Sequence, residues 1–236
     1  MVISFEVNGV SYTLPEIITL EMWEHAVVWD LEDDRNIKPF VAGLIGCTLA
    51  EINQLEESTF GLFAGVCIQR MTIDGESIVE EINGYKLTPF DDLTFGNWVD
   101  IDVFISNGVQ NNLALLASII YNAPLDIVKD WDVKLVGPTI MHLSKWRTKV
   151  YHDYEEFFEL EVQETDIDGE PLEGNEVNLQ LMWYQAILAL ADSDFLKIHQ
   201  VVERPYREAL NFLTWKKDQL AKEKLENLKL KNQSRK

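Results

Sequence analysis

Two cysteines, Cys47 and Cys67, are all that the 236 residues contain. They lie 20 residues apart in apolar surroundings with no CxxC and no Cys/His pairing, so we expect buried free thiols and a reducing compartment. Motifs for common chemistries are missing too: no GxSxG, P-loop, dinucleotide fingerprint, HExxH or Gly-rich phosphate cradle occurs. No run approaches 18 consecutive apolar residues, and the start, MVISFEVNG, lacks the basic residues and apolar core of a signal peptide. Neither a membrane span nor a secretory leader is expected, and a cytosolic protein is the simplest reading. Basic residues are scarce, 20 against 40 acidic, and the resulting net charge of −20 opposes nonspecific binding to a phosphate backbone. Nucleic acid is therefore not expected as a partner; solubility, basic partners or cation binding fit better.

Apolar residues make up 47% of the chain, with seven Trp and 11 Phe, enough for a real core. The stretch from Ile82 to Trp98, INGYKLTPFDDLTFGNW, aligns without a gap on Val7 to Trp23, VNGVSYTLPEIITLEMW, 75 residues earlier. Identities at this offset are Glu6/Glu81, Asn8/Asn83, Gly9/Gly84, Thr13/Thr88, Thr19/Thr94, Trp23/Trp98, Val28/Val103, Asn36/Asn111, Ala42/Ala117, Ile45/Ile120 and Ile52/Ile127. These are 11 matches in the 48 positions from 5 to 52, where roughly three would follow from composition alone, so the chain reads as a tandem duplication.

Each copy has the same local signals. Ile3, Phe5 and Val7 alternate with polar residues as a half-buried strand does, and Asn8-Gly9 supplies the positive φ angles of a type I′ hairpin turn. Thr19 caps a helix that Ile18 and Trp23 staple. Further helices are expected at Ile37 to Ile45, closed by Gly46; after the capping box Thr48/Glu51; and from Thr59 to Met71, where Gly61 and Gly65 would let a neighbour pack closely. In the second copy, Ser77 to Ile82 and Tyr85 to Leu87 flank Asn83-Gly84. Val99, Ile101, Val103 and Ile105 alternate with acids like a strand, yet the first copy is helical there, so 95–106 is assigned as helix. That assignment puts Asp102 inside an apolar stripe, where the first copy has Val27. A helix from Asn111 to Tyr121 follows, then one with Pro124 in its first turn, a short strand at Val133 to Val136, and a long helix from Pro138 to Val162. Gln163 to Asn175 is a loop, and Val177 to Ala191, Phe195 to Val202 and Pro205 onward form a helical extension. The expected fold is α+β, predominantly α: modules at 1–75 and 76–162, then the extension at 176–236.

Candidate metal and catalytic groups are weak. The loop from Glu164 to Gly169 fails the calcium pattern, because position 12 is Asn175 and Glu176 comes one residue late. His142 and His152, ten residues apart on one helix, would stand about 15 Å from each other along its axis. His152-Asp153 with Glu155-Glu156 reads as a solvated face, and His25 and His199 are isolated. Asp91 with Asp92, and Asp100 with Asp102, are acidic pairs of the kind used in acid-base work or magnesium binding, and they leave open a metal-dependent hydrolase or nuclease-like enzyme using Asp100 and Asp102. No cofactor, metal site or catalytic residue is assigned. An unpaired buried Asp102 would cost several kcal/mol, so it should reach the surface or pair with Arg35, Lys145 or Arg147 in a buried or interfacial ion pair. From Lys216 onward eight basic residues face three acidic ones, and Leu213, Leu220, Leu225 and Leu228 form a loose stripe that Lys217 and Lys224 interrupt. The residues expected to contact a partner are Trp98, Asp102, Trp23, Leu213, Leu220, Leu225 and Leu228.

The hairpin with its Asn-Gly turn, the Thr-capped helix around Trp23 and the run LIGCTLAEINQL resemble small proteins of tailed bacteriophages that act in tail or baseplate assembly, tail assembly chaperones included. The likeness covers about 70 residues and recurs through the duplication; it does not extend to 160–236. It implies a non-enzymatic assembly factor or minor virion protein that binds other tail or baseplate proteins in the host cytoplasm during assembly or within the virion. A homo-oligomeric structural virion protein is a further alternative.

Overall fold

The computed structural model describes residues 3–26, 34–73, 77–158 and 179–233. In chain order these form β1 (Ser4–Val7), β2 (Val10–Thr13), α1 (Leu20–Ala26), α2 (Asp34–Ile45), α3 (Leu49–Ile52), α4 (Glu57–Met71), β3 (Glu81–Ile82) and β4 (Tyr85–Lys86). Then come α5 (Phe95–Ser106), α6 (Leu113–Ile120), α7 (Leu125–Val128), α8 (Val133–Asp153), α9 (Glu155–Phe158), α10 (Leu179–Leu190), α11 (Ile198–Val202) and α12 (Tyr206–Gln233). The protein is mostly helical with two small antiparallel hairpins, as expected of a predominantly α, α+β chain. It divides into two compact units, one from 1–88 and 104–144 and the other from 89–103 and 145–236. This division falls inside α5 and α8 rather than near residues 75 and 162, where the sequence placed its module limits.

In the first unit, β1 and β2 pair from Ser4 with Thr13 to Val7 with Val10. Asn8 and Gly9 both have positive φ, 53° and 81°, as a type I′ turn requires. Phe5 and Val7 point inward, and Phe5 meets Phe63 of α4 edge-on at 4.8 Å. Thr48 and Glu51 form the expected capping box at α3, and the Glu51 carboxylate also accepts from the Tyr12 hydroxyl at 2.6 Å. That bond pushes the Tyr12 hydroxyl up to about 12. Arg70 donates to the carbonyl oxygens of Leu14 and Pro15, tying α4 to the end of β2. The start of α1 is bracketed by the start of α8: Leu20 N–H donates to Trp131 O at 2.9 Å, and Val133 N–H to Ile18 O at 2.9 Å.

The second unit repeats that bracket with other residues. Phe95 N–H donates to Arg204 O at 2.7 Å, and Tyr206 N–H to Leu93 O at 3.2 Å, so the starts of α5 and α12 hold each other. Thr94 accepts from Asn97 N–H at 3.2 Å while Asn97 Oδ1 accepts from Thr94 N–H at 3.3 Å. This reciprocal cap is why α5 is a helix despite its alternating pattern.

Several expectations change: the strand expected from Ser77 is confined to Glu81–Ile82, and the helix expected from Ile37 starts at Asp34. The short strand at 133–136 is the first turn of α8: Asp132 caps it by accepting from Lys134 N–H at 2.9 Å, and the bracket to Ile18 fixes its start. α8 therefore begins five residues before Pro138, which lies inside it, and ends at Asp153, with 159–162 outside the described residues. α4 starts at Glu57, two residues early. The match Ile52/Ile127 joins residues in unlike places, since Ile52 is buried and Ile127 is exposed; Val128 takes the buried place in α7. Val27, Val28, Leu31 and the loop 163–175 lie outside the described residues.

Candidate functional site

Asp102 is fully buried in the second unit, on the face of α5 that also carries Trp98. Both its oxygens are occupied. Arg147 Nε donates to Oδ1 at 2.6 Å, the Tyr151 hydroxyl lies 3.0 Å from Oδ1 and from Oδ2, and Trp183 Nε1 donates to Oδ2 at 2.7 Å. Arg147 and Tyr151 stand one turn apart on α8, and the guanidinium lies over the Tyr151 ring at 4.6 Å. Trp183 comes from α10, so one carboxylate joins three helices. Burial first, and then the Asp102 charge, push the Tyr151 hydroxyl well above the usual phenol range, which keeps it a donor. Aromatic rings enclose the group: Trp98 meets Trp146, Trp183 and Tyr206 at 5.3, 6.4 and 5.6 Å.

Of the three basic partners considered, Arg147 is the one that pairs with Asp102. Asp100, two residues earlier in α5, is exposed while Asp102 is buried, so the two carboxylates do not share a face. With both oxygens of Asp102 bound by the chain's own donors, the group works as a tie between helices. Trp98 and Asp102 were expected at a partner surface; both are fully buried, because the aromatic cluster and the ion pair need exclusion of water, and their contacts are intramolecular. Leu213 is buried as well. Trp23 is half-buried and donates to Gln110 O at 3.0 Å.

α12 has two halves. Its first is anchored: Tyr206 is buried, Arg207 donates to Asp91 from Nε at 3.1 Å and Nη2 at 2.5 Å, Ala209, Leu210 and Leu213 are buried, and Lys216 and Lys217 donate to the carbonyl oxygens of Ala189 and Glu156. The Arg207 guanidinium holds the Asp91 carboxyl below the usual range. Its second half is a solvent-facing arm, where Leu220, Leu225, Leu228 and Leu230 are 51, 54, 60 and 63% exposed. Beside the anchored half lies an open groove of about 350 Å³ lined by Leu190, Lys197, Val201, Arg204, Ala209 and Phe212.

The sequence reading did not single out Tyr151, Trp183 or the Asp91–Arg207 pair as site residues. Tyr151 could have been found, since it lies four residues from Arg147 on a helix already assigned. Trp183 carried no such signal, because its helix joins the cluster only through tertiary packing. Among the described residues no helix is long and apolar enough to cross a membrane, and no group of three or more His, Cys, Asp or Glu could hold a metal ion. No family model, curated protein or solved structure matches the chain.

Proposed function

We propose that the protein is a non-enzymatic protein-binding factor of tailed-bacteriophage tail or baseplate assembly, acting in the host cytoplasm as an assembly chaperone or kept as a minor virion component. The observation that carries this reading is the solvent-facing arm of α12. A helix that leaves four leucines more than half exposed, beside lysines, has the composition of a segment that docks on another protein.

The modular reading of the chain supports it. Under a tandem repeat, α1 and α5 start 75 residues apart, as do β2 and β4, while α3 and α7, and α4 and α8, start 76 apart. The extra residue is Tyr121, since Gly46 and Asn122, both with positive φ, follow at the offset of 76. α10, α11 and α12 extend the series as the helical half of a third copy. What favours this is the backbone bracket, in which 204–206 plays towards 93–95 the part that 131–133 plays towards 18–20. In this reading the first helix of each copy packs on the last helix of the next, as in repeat proteins built to present surfaces to partners.

The test is direct binding of the full chain, by surface plasmon resonance, to purified tail and baseplate proteins of the virus that encodes it. Binding that is lost in Leu220→Glu/Leu225→Glu/Leu228→Glu, with the helical signal retained, is expected. Absence of binding to every tail and baseplate protein tested would refute the assignment.

A further inference from the structure

The face opposite the core on α4 is built from Ser58, Gly61, Leu62, Gly65 and Ile68, all exposed, with Leu62 at 75%. Glycine inside a helix lowers its stability unless close approach by a neighbour requires it. Among the described residues nothing lies within 4 Å of a Cβ built on Gly61 or Gly65. α8 provides the second observation. Gly137 stands at its fifth residue, as Gly61 does in α4, and there Ile73 packs so closely that a Cβ on Gly137 would lie 2.6 Å from it. The same helical position is thus a seat for a branched apolar side chain in α8 and open in α4.

We propose that the arm of α12 in one molecule docks on this α4 face of a second copy of the chain. The arm offers Leu220, Leu225 and Leu228 to a glycine-floored face, the arrangement in which two helices approach closely with ridges in grooves. Charge selects the pairing. The arm from Asp218 onward has six basic and three acidic residues, whereas the unit that contains α4 has 18 acidic and six basic, and Glu56 and Glu57 stand exposed at the start of α4. Two arms would repel each other, with Lys224 and Lys231 along the leucine stripe. The groove of the second unit carries Lys197 and Arg204 against a single acid, Glu208, and so suits a basic helix less well than the acidic first unit. Because arm and face are different surfaces, the contact either closes as a reciprocal pair or propagates head to tail into a larger ring or a filament. Both readings use the arm, but only this one uses the α4 face, so self-association can fail while tail-protein binding holds.

Sedimentation velocity of the full chain at rising concentration tests it, with two variants. Gly61→Leu/Gly65→Leu blocks the face, where there is room for the new side chains. Leu225→Glu/Leu228→Glu spoils the arm, away from the core. The wild type is expected to form species heavier than the 27.2 kDa monomer, more weakly at high salt, and each variant alone to stay monomeric with its cooperative unfolding retained, the Gly61→Leu/Gly65→Leu variant melting no lower than the wild type. An equimolar mixture of the two variants is expected to recover a complex that stops at a pair, since one intact face meets one intact arm. A wild type that is monomeric throughout, association that survives in either variant, or a mixture that stays monomeric would each overturn the proposal.

Discussion

Thr139 in the first unit and Asp102 in the second are the two buried polar residues among the described positions, and they organise their surroundings differently. Thr139 is neutral. Its hydroxyl oxygen accepts from Val79 N–H at 3.0 Å and lies 3.3 Å from the Tyr121 hydroxyl, which itself donates to Val79 O at 2.6 Å. Its neighbours could do without it at modest cost. Asp102 is charged, and three side chains from two other helices have oriented their donors on it. Each unit has its own backbone bracket, but among the described residues the fully buried charge lies in the second. A buried ion pair adds little over an apolar substitute of similar shape, whereas removing one member leaves the other stranded.

The sharpest break of this contrast is Asp102→Val, which strands Arg147 and is expected to lower stability by about 3–5 kcal/mol in urea unfolding followed by tryptophan fluorescence. A loss near zero would mean that Arg147 escapes to water through its 21% exposed side chain. Next comes Trp183→Phe, which removes one charge-assisted hydrogen bond and should cost about 1.5–3 kcal/mol. Trp98→Phe is its control: the Trp98 indole N–H has no partner among the described residues, so only volume is lost and the cost stays below about 1.5 kcal/mol. Equal losses in the two would show that packing, not the carboxylate, sets the value of Trp183. Thr139→Val should cost about 0.5–1.5 kcal/mol, because the donor it abandons, Val79 N–H, is only half-buried and can turn to water. The smallest effect concerns Asp91, whose carboxyl is depressed by Arg207. A depressed carboxyl contributes stability above its unfolded pKa and loses that contribution as pH falls through the lower folded value. Melting temperatures measured from neutral into the acid range should therefore fall less steeply in Asp91→Asn than in the wild type.

The same contrast explains what the residues disclosed in advance. Local chemistry was legible: Asn8-Gly9 makes its turn, Thr48 with Glu51 makes its box, and the Thr94 cap overrides the alternation of 99–105. Asp102 was legible as a problem, since a carboxylate in an apolar stripe demands a donor, and Arg147 was among those named. Its surroundings were not, because Trp183 reaches Asp102 from 81 residues away and no local spacing encodes that approach. The same limit hid the start of α8. Val133 to Val136 has β-branched residues at both ends and reads as a strand until Ile18 supplies the hydrogen bond that fixes a helix there. The exposure of Ile127 and the burial of Val128 were hidden as well, because the matching letters at 52 and 127 say nothing of which side of α7 faces the core.

The two backbone brackets also bear on how the chain comes off the ribosome. Residues 18–20 wait for 131–133, and 93–95 wait for 204–206, each more than a hundred residues later in synthesis. Neither unit can close as soon as its first helix emerges. During that interval α1, and then α5 with its Asp102, lacks the segment that brackets its start, although α2 is already there for α1 and Arg147 and Trp183 for Asp102. A chain built this way is exposed to capture while nascent, and a nonsense mutation anywhere before residue 204 leaves at least one helix permanently without its mate.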